Sequence, residues 1–143
     1  MGVNGVWGTE FPSQMVDSES DTGRHLPQPA PIEAYGNGGF RFGGLSHRGS
    51  LLCFPDGIWA WPVTSIAELT AATLAPAFAR ADALDFFLIG GGRDPFVLPE
   101  LLRQRFRDAS LSVDAMATGA AVRTWNVLLA ENRRVGAALI ATA

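Results

Sequence analysis

Met116-Ala117-Thr118-Gly119-Ala120-Ala121-Val122-Arg123-Thr124-Trp125-Asn126-Val127-Leu128-Leu129-Ala130-Glu131-Asn132-Arg133-Arg134-Val135-Gly136-Ala137-Ala138-Leu139 reads as a helix, a tight turn and an apolar strand. Val122, Trp125, Leu128 and Leu129 recur at helical spacing and share a face with Thr118, so the core lies on that side. Arg123 points away from it. Thr118 is placed to cap a helix running from Gly119 to about Glu131, by accepting from the amides of the first turn. Exposed amides at such a terminus also favour a small anion. Asn126 lies at the flank of the apolar face, where its amide is expected to bond a neighbouring loop or a ligand. Glu131 and Arg134 are expected to pair across the turn, a contact worth about 0–1 kcal/mol if exposed.

Upstream of this stretch, helices and strands alternate. Leu111 to Met116 has the period of a strand, and Pro99 suits the first residue of a helix reaching Arg107. Asp85 to Ile89 is a short apolar strand. Before it, Ala71 to Ala81 reads as helical with Thr70 as its cap, and Pro76 either interrupts that helix or begins its regular part. The first half of the chain carries hairpin signals instead. Ile32 to Tyr35 and Phe40 to Phe42 flank Gly36-Asn37-Gly38-Gly39, whose residues tolerate positive φ. Ser50 to Phe54 and Ile58 to Pro62 flank Pro55-Asp56-Gly57, a turn that proline pre-sets and glycine closes. Hairpins followed by β-α-β-α-β define an α/β class with a single domain around a mixed β-sheet.

Composition excludes several functions. The chain has 143 residues, 48% of them hydrophobic and 17% charged, which is globular composition of a size that fits one domain. The net charge of −3 gives no electrostatic reason to expect nucleic acid as a partner. All 11 basic residues are arginine, which excludes Schiff-base and P-loop lysine chemistry and suggests a bacterial source. A single cysteine, Cys53, rules out an internal disulfide and suits a cytoplasmic location. No apolar run approaches the roughly 20 residues that span a bilayer. Residues 1–31, rich in glycine, acidic residues and proline, are expected to form a flexible N-terminal extension, with the folded domain over 32–143.

Several collinear motifs carry a family resemblance. Tyr35 with its glycine-rich turn, Phe54-Pro55 with Trp61, Leu88-Ile89-Gly90-Gly91-Gly92, Thr118 to Leu128, and Glu131, Arg134 and Ala137-Ala138-Leu139 together resemble the Mth938-like domain family. The resemblance covers about Ile32 to Ala141. It implies a three-layer α/β fold around a mixed sheet, and a protein-binding or assembly role, best supported in mitochondrial members and tied there to a respiratory complex. It implies no established catalysis and no cofactor. Ala117 stands where an acidic residue often precedes the threonine, and Trp125 where Tyr or Phe is more usual.

The remaining chemistry is sparse. Gly90-Gly91-Gly92 follows a strand, yet Pro95 breaks the dinucleotide fingerprint, so the glycines serve a tight turn or a modest ligand site. With Arg93, Asp94, Thr118 and Asn126 they form the candidate ligand-binding set, a pocket for a small anion or molecule between the Gly90–Asp94 loop and the helix start. Cys53, flanked by Leu52 and Phe54, is expected to be inert filler. His47 is read in a polar turn with Ser46 and Arg48. Two histidines and one cysteine without ligand spacing argue against a metal. Arg103 and Arg107 share a helix side from which Arg105 is turned away, so they make no basic stripe. Trp59 and Trp61 point the same way along their strand. The leading expectation is a non-catalytic binding or assembly factor with a protein partner.

Overall fold

A computed structural model describes residues 23–143. Among these residues nine strands, which we number β1 to β9 in chain order, form two sheets. The first half supplies β1 (Arg24–Leu26), β2 (Ile32–Gly36), β3 (Gly39–Phe42), β4 (Leu45–Arg48), β5 (Ser50–Phe54) and β6 (Gly57–Trp61). The second half supplies α1 (Ala75–Ala79), β7 (Phe86–Gly90), α2 (Glu100–Asp108), β8 (Val113–Met116), α3 (Thr118–Ala130) and β9 (Val135–Leu139). The large sheet has the order β1-β6-β5-β9-β7-β8, and β2-β3-β4 makes the small one. In the large sheet β5 is antiparallel to β6 and β9, whereas β7 is parallel to β9 and β8. The sheet is therefore mixed.

Both expected hairpins form. Asn37 at φ 52° and Gly38 at φ 81° make a two-residue turn that matches strand twist, and Gly36 faces Gly39 across it. Phe54 faces Gly57 across Pro55-Asp56.

Strand alternation splits the core into two layers. Leu52, Phe54, Phe87, Ile89 and Ala138 face Leu102 and Phe106 of α2. Leu51, Cys53, Leu88, Ala137 and Leu139 face Ala121, Val122 and Trp125 of α3, with Phe40 and Phe42 of the small sheet beside them. The chain steps from β7 to β8 in one direction across the sheet and returns past β7 to reach β9. Right-handed crossovers travelling in opposite directions must place their helices on opposite faces, which is where α2 and α3 lie.

Several expectations need correction. Residues 24–26 are not part of an extension but pair with β6 at the sheet edge, and the Trp125 indole donates to the Ala30 carbonyl at 3.0 Å. The folded domain thus begins upstream of residue 32, while residues 1–22 of the expected extension lie outside the described residues. His47 sits in β4 opposite Phe40 rather than in a turn. Helix α1 is only five residues long because Pro76 lies in its first turn, so the proline begins the regular part. Thr70 caps the preceding turn, accepting from the Thr73 amide at 3.1 Å. Pro99 is the residue before α2 rather than its first residue. Arg134 pairs with Asp85 at 2.6 Å instead of with Glu131; both ends are solvent-exposed, and the hydrogen bond to Arg134 holds the Asp85 carboxyl below its usual pKa.

Candidate functional site

The C-terminal ends of β7, β8 and β9 converge on one edge of the sheet, the position where α/β proteins usually bind ligands. Gly90 ends β7, Met116 ends β8, and Ile140 follows β9. The structure brings Gly90, Gly91, Gly92 and Thr118 together here. Thr118 does not cap its helix; Ala117 holds the cap position without a side-chain bond. The threonine hydroxyl is fully buried, accepts from the Gly92 amide at 2.9 Å and donates to the Ile140 carbonyl at 2.7 Å. Sequence reasoning missed this because a threonine before a helix reads as a cap, and its tertiary partners lie 22 and 26 residues away.

Backbone bonds tie the same edge. The Gly91 amide donates to Met116, Thr118 to Gly92, and Ile140 to Gly90, at 2.8, 2.8 and 2.9 Å. Glycine is required for close approach rather than for a phosphate cradle. A methyl on Gly91 would overlap the Phe96 ring and press on Ile66, and one on Gly90 would meet Thr118. The gap expected to hold a small anion is therefore filled by protein, and the amides of Gly91 and Gly92 already have acceptors. Arg93 and Asp94 are exposed beyond the sealed turn.

Asn126 is not at this edge. Its Oδ1 accepts from the Ile32 amide at 2.8 Å, and its Nδ2 donates to the Ile32 carbonyl at 3.0 Å. This amide joins α3 to the start of β2 as one peptide group would pair with another. Asn126→Ala is expected to lower the unfolding free energy by about 1–2 kcal/mol, read by urea titration. A loss below about 0.3 kcal/mol would mean that water replaces both bonds.

Exposed apolar side chains rim the sealed edge. Ile66 packs over Gly91 and remains 45% exposed; Tyr35, whose hydroxyl lies against Gly119, is also 45% exposed; Val97, next to Phe96, is 81% exposed. Elsewhere, Leu101 in the first turn of α2 is 84% exposed and Val127 of α3 56%. Cys53 is fully buried, which pushes its thiol far above the ordinary range and leaves it unreactive.

The shifted histidines sit elsewhere. His25 Nε2 and His47 Nδ1 are 3.0 Å apart, and His47 Nε2 lies 3.1 Å from the Ser50 carbonyl. Burial holds both below the usual imidazole value, with His25 lowered further by His47 to about 4. Their separation in sequence hid the pair. Among the described residues no group of three or more His, Cys, Asp or Glu side chains is arranged to hold a metal.

The architecture is thus a three-layer α/β domain whose strand-end crevice is closed by backbone and side-chain bonds and edged with apolar groups. The chain belongs to the family described as protein of unknown function DUF498/DUF598, matched over residues 32–140, and has the Mth938-like fold. A solved Bordetella pertussis protein described as an Mth938-like domain superposes with a TM-score of 0.69 at 24% identity, covering 92% of each chain. A structure described as an outer membrane protein of Bartonella henselae is 47% identical, with a TM-score of 0.80 over 83% of this chain and all of that one. An uncharacterised Rhodobacter capsulatus protein is 39% identical over 77% of this chain and 83% of its own length. The rat NADH dehydrogenase [ubiquinone] 1 alpha subcomplex assembly factor 3 is 27% identical over 80% of this chain, which spans 62% of that protein. No helix among the described residues is long and apolar enough to cross a membrane.

Proposed function

We propose that this protein is a non-catalytic assembly factor of the bacterial cytoplasm that binds a protein client through the apolar rim of Tyr35, Ile66 and Val97. The observation that carries this reading is the pairing of a sealed crevice with two half-exposed apolar side chains, Ile66 against Gly91 and Tyr35 against Gly119. Apolar groups gathered at the end of a rigid sheet suit a protein surface, because a preformed patch binds without much ordering cost. The Thr118 hydroxyl and the amides of Gly91 and Gly92 serve the fold, so the edge supplies shape rather than reacting groups. The assembly-factor relatives supply the client class: intermediates of NADH dehydrogenase.

The test is genetic and structural at once. Deleting the gene in its bacterium is expected to reduce assembled NADH dehydrogenase on native gels. The wild-type gene should restore it, while Ile66→Glu with Val97→Glu should not, although that variant melts as the parent does. Normal assembly in the deletion strain would overturn the reading.

A further inference from the structure

The hairpin between β2 and β3 turns on Asn37 and Gly38, and Asn37 is exposed to solvent. An asparagine followed by glycine is especially prone to close on itself, because no Cβ shields the glycine nitrogen from the neighbouring side-chain amide. Once that nitrogen gives up its proton to water, it attacks Cγ of the asparagine. The new N–C bond closes a cyclic imide, and the side-chain nitrogen leaves as ammonia. Water then opens the imide at either carbonyl. One opening gives aspartate; the other gives isoaspartate, whose main chain runs through Cγ and is lengthened by a methylene.

In the folded chain two other segments hold this reaction back. The Gly38 amide donates to the Thr142 carbonyl at 2.6 Å, and the Gly38 carbonyl accepts from the Gly49 amide at 2.7 Å. The first bond keeps the proton on the nitrogen that would attack, and the pair fixes the peptide plane that must turn for the imide to close. We propose that Asn37 is a guarded deamidation site, with the residues that follow Ala141 as its guard. A molecule in which Thr142 comes away, by fraying or by cleavage, records the event in its backbone by forming isoaspartate at position 37. Positive φ at both Asn37 and Gly38 belongs to a turn with no room for an added methylene. The product therefore loses the pairing of Gly36 with Gly39 and the seat of the Tyr35 hydroxyl against Gly119. The consequence for client binding rests on the rim reading above, whereas the modification itself does not.

Mass spectrometry tests this without any client. The full chain is incubated at neutral pH beside a chain ending at Ala141, which keeps the bond from the Ala141 amide to Ser50 Oγ, and beside the full chain in guanidinium chloride. The tryptic peptide of residues 25–41 separates Asn37 from the other asparagine-glycine pair, Asn4-Gly5, and chromatography resolves isoaspartate from aspartate. The shortened chain is expected to convert Asn37 about three- to tenfold faster than the folded full chain, the factor that one net hydrogen bond implies. The unfolded chain should be faster still, with isoaspartate the main product. A thermal melt reports whether the shortened chain keeps its fold; if it does not, the comparison of folded with unfolded full chain decides alone. The proposal is overturned if the folded full chain converts as fast as the unfolded one, if a folded shortened chain is no faster than the full chain, or if the unfolded chain forms no isoaspartate at Asn37.

Discussion

Thr118→Val is expected to lower the unfolding free energy by about 3 kcal/mol. Valine keeps the β-branched shape, but removing the hydroxyl leaves the Gly92 amide and the Ile140 carbonyl inside the protein without their partner. Each orphaned group costs about 1–3 kcal/mol. Thr118→Ser keeps the hydroxyl and loses one methyl, for which about 1 kcal/mol is expected. Urea denaturation of the two variants separates the contributions. Equal losses would show that the methyl contact, and not the bridge across three strand ends, holds this edge together.

Acid should destabilise the protein well above the carboxylate range. Burial, with His47 beside it, lowers His25 to about 4 in the folded chain, against 6.5 for an unperturbed imidazole in the unfolded one. Between those values the unfolded state binds more protons, so stability is full above about pH 6.5 and falls as pH drops toward 4. The shift corresponds to at most about 3 kcal/mol, and partial solvent access reduces it. The geometry explains the sign. His25 is largely buried, so charging its imidazole costs hydration, and the His47 ring 3.0 Å away adds repulsion when both are charged. In His25→Gln the slope of stability between pH 6.5 and 4 should flatten. An unchanged slope would assign the acid sensitivity to other groups.

The residues that were legible in sequence are those whose signals are local. Asn37-Gly38 specifies a turn through backbone sterics alone, and Val122, Trp125 and Leu129 mark a helix face through spacing alone. β1 and β4 were hidden because three or four residues, among them Arg24, His25, Ser46 and His47, carry no apolar alternation. Their pairing is decided by β6 and β3. The same limit governs the edge of the sheet. Gly90 to Gly92 and Thr118 were correctly associated with strand ends, but the sequence does not show that Phe96 and Ile66 fill the space between them. Asn126 was legible as a polar residue needing partners, though not as a clamp on Ile32, 94 positions away. Arg134 chose Asp85 over nearby Glu131 because β9 and β7 run side by side.

β9 has a consequence for how the molecule comes into being. It is the last strand in chain order, yet it occupies an interior position of the large sheet, antiparallel to β5 on one side and parallel to β7 on the other. Until Val135–Leu139 arrives, the hairpin half and the β7–β8 half have no backbone ladder between them, and the apolar strips of both stand open to water. Contacts of such long sequence separation make folding slow and leave the growing chain adhesive in the interval. β9 is thus the piece that converts two separate half-sheets into one continuous ladder.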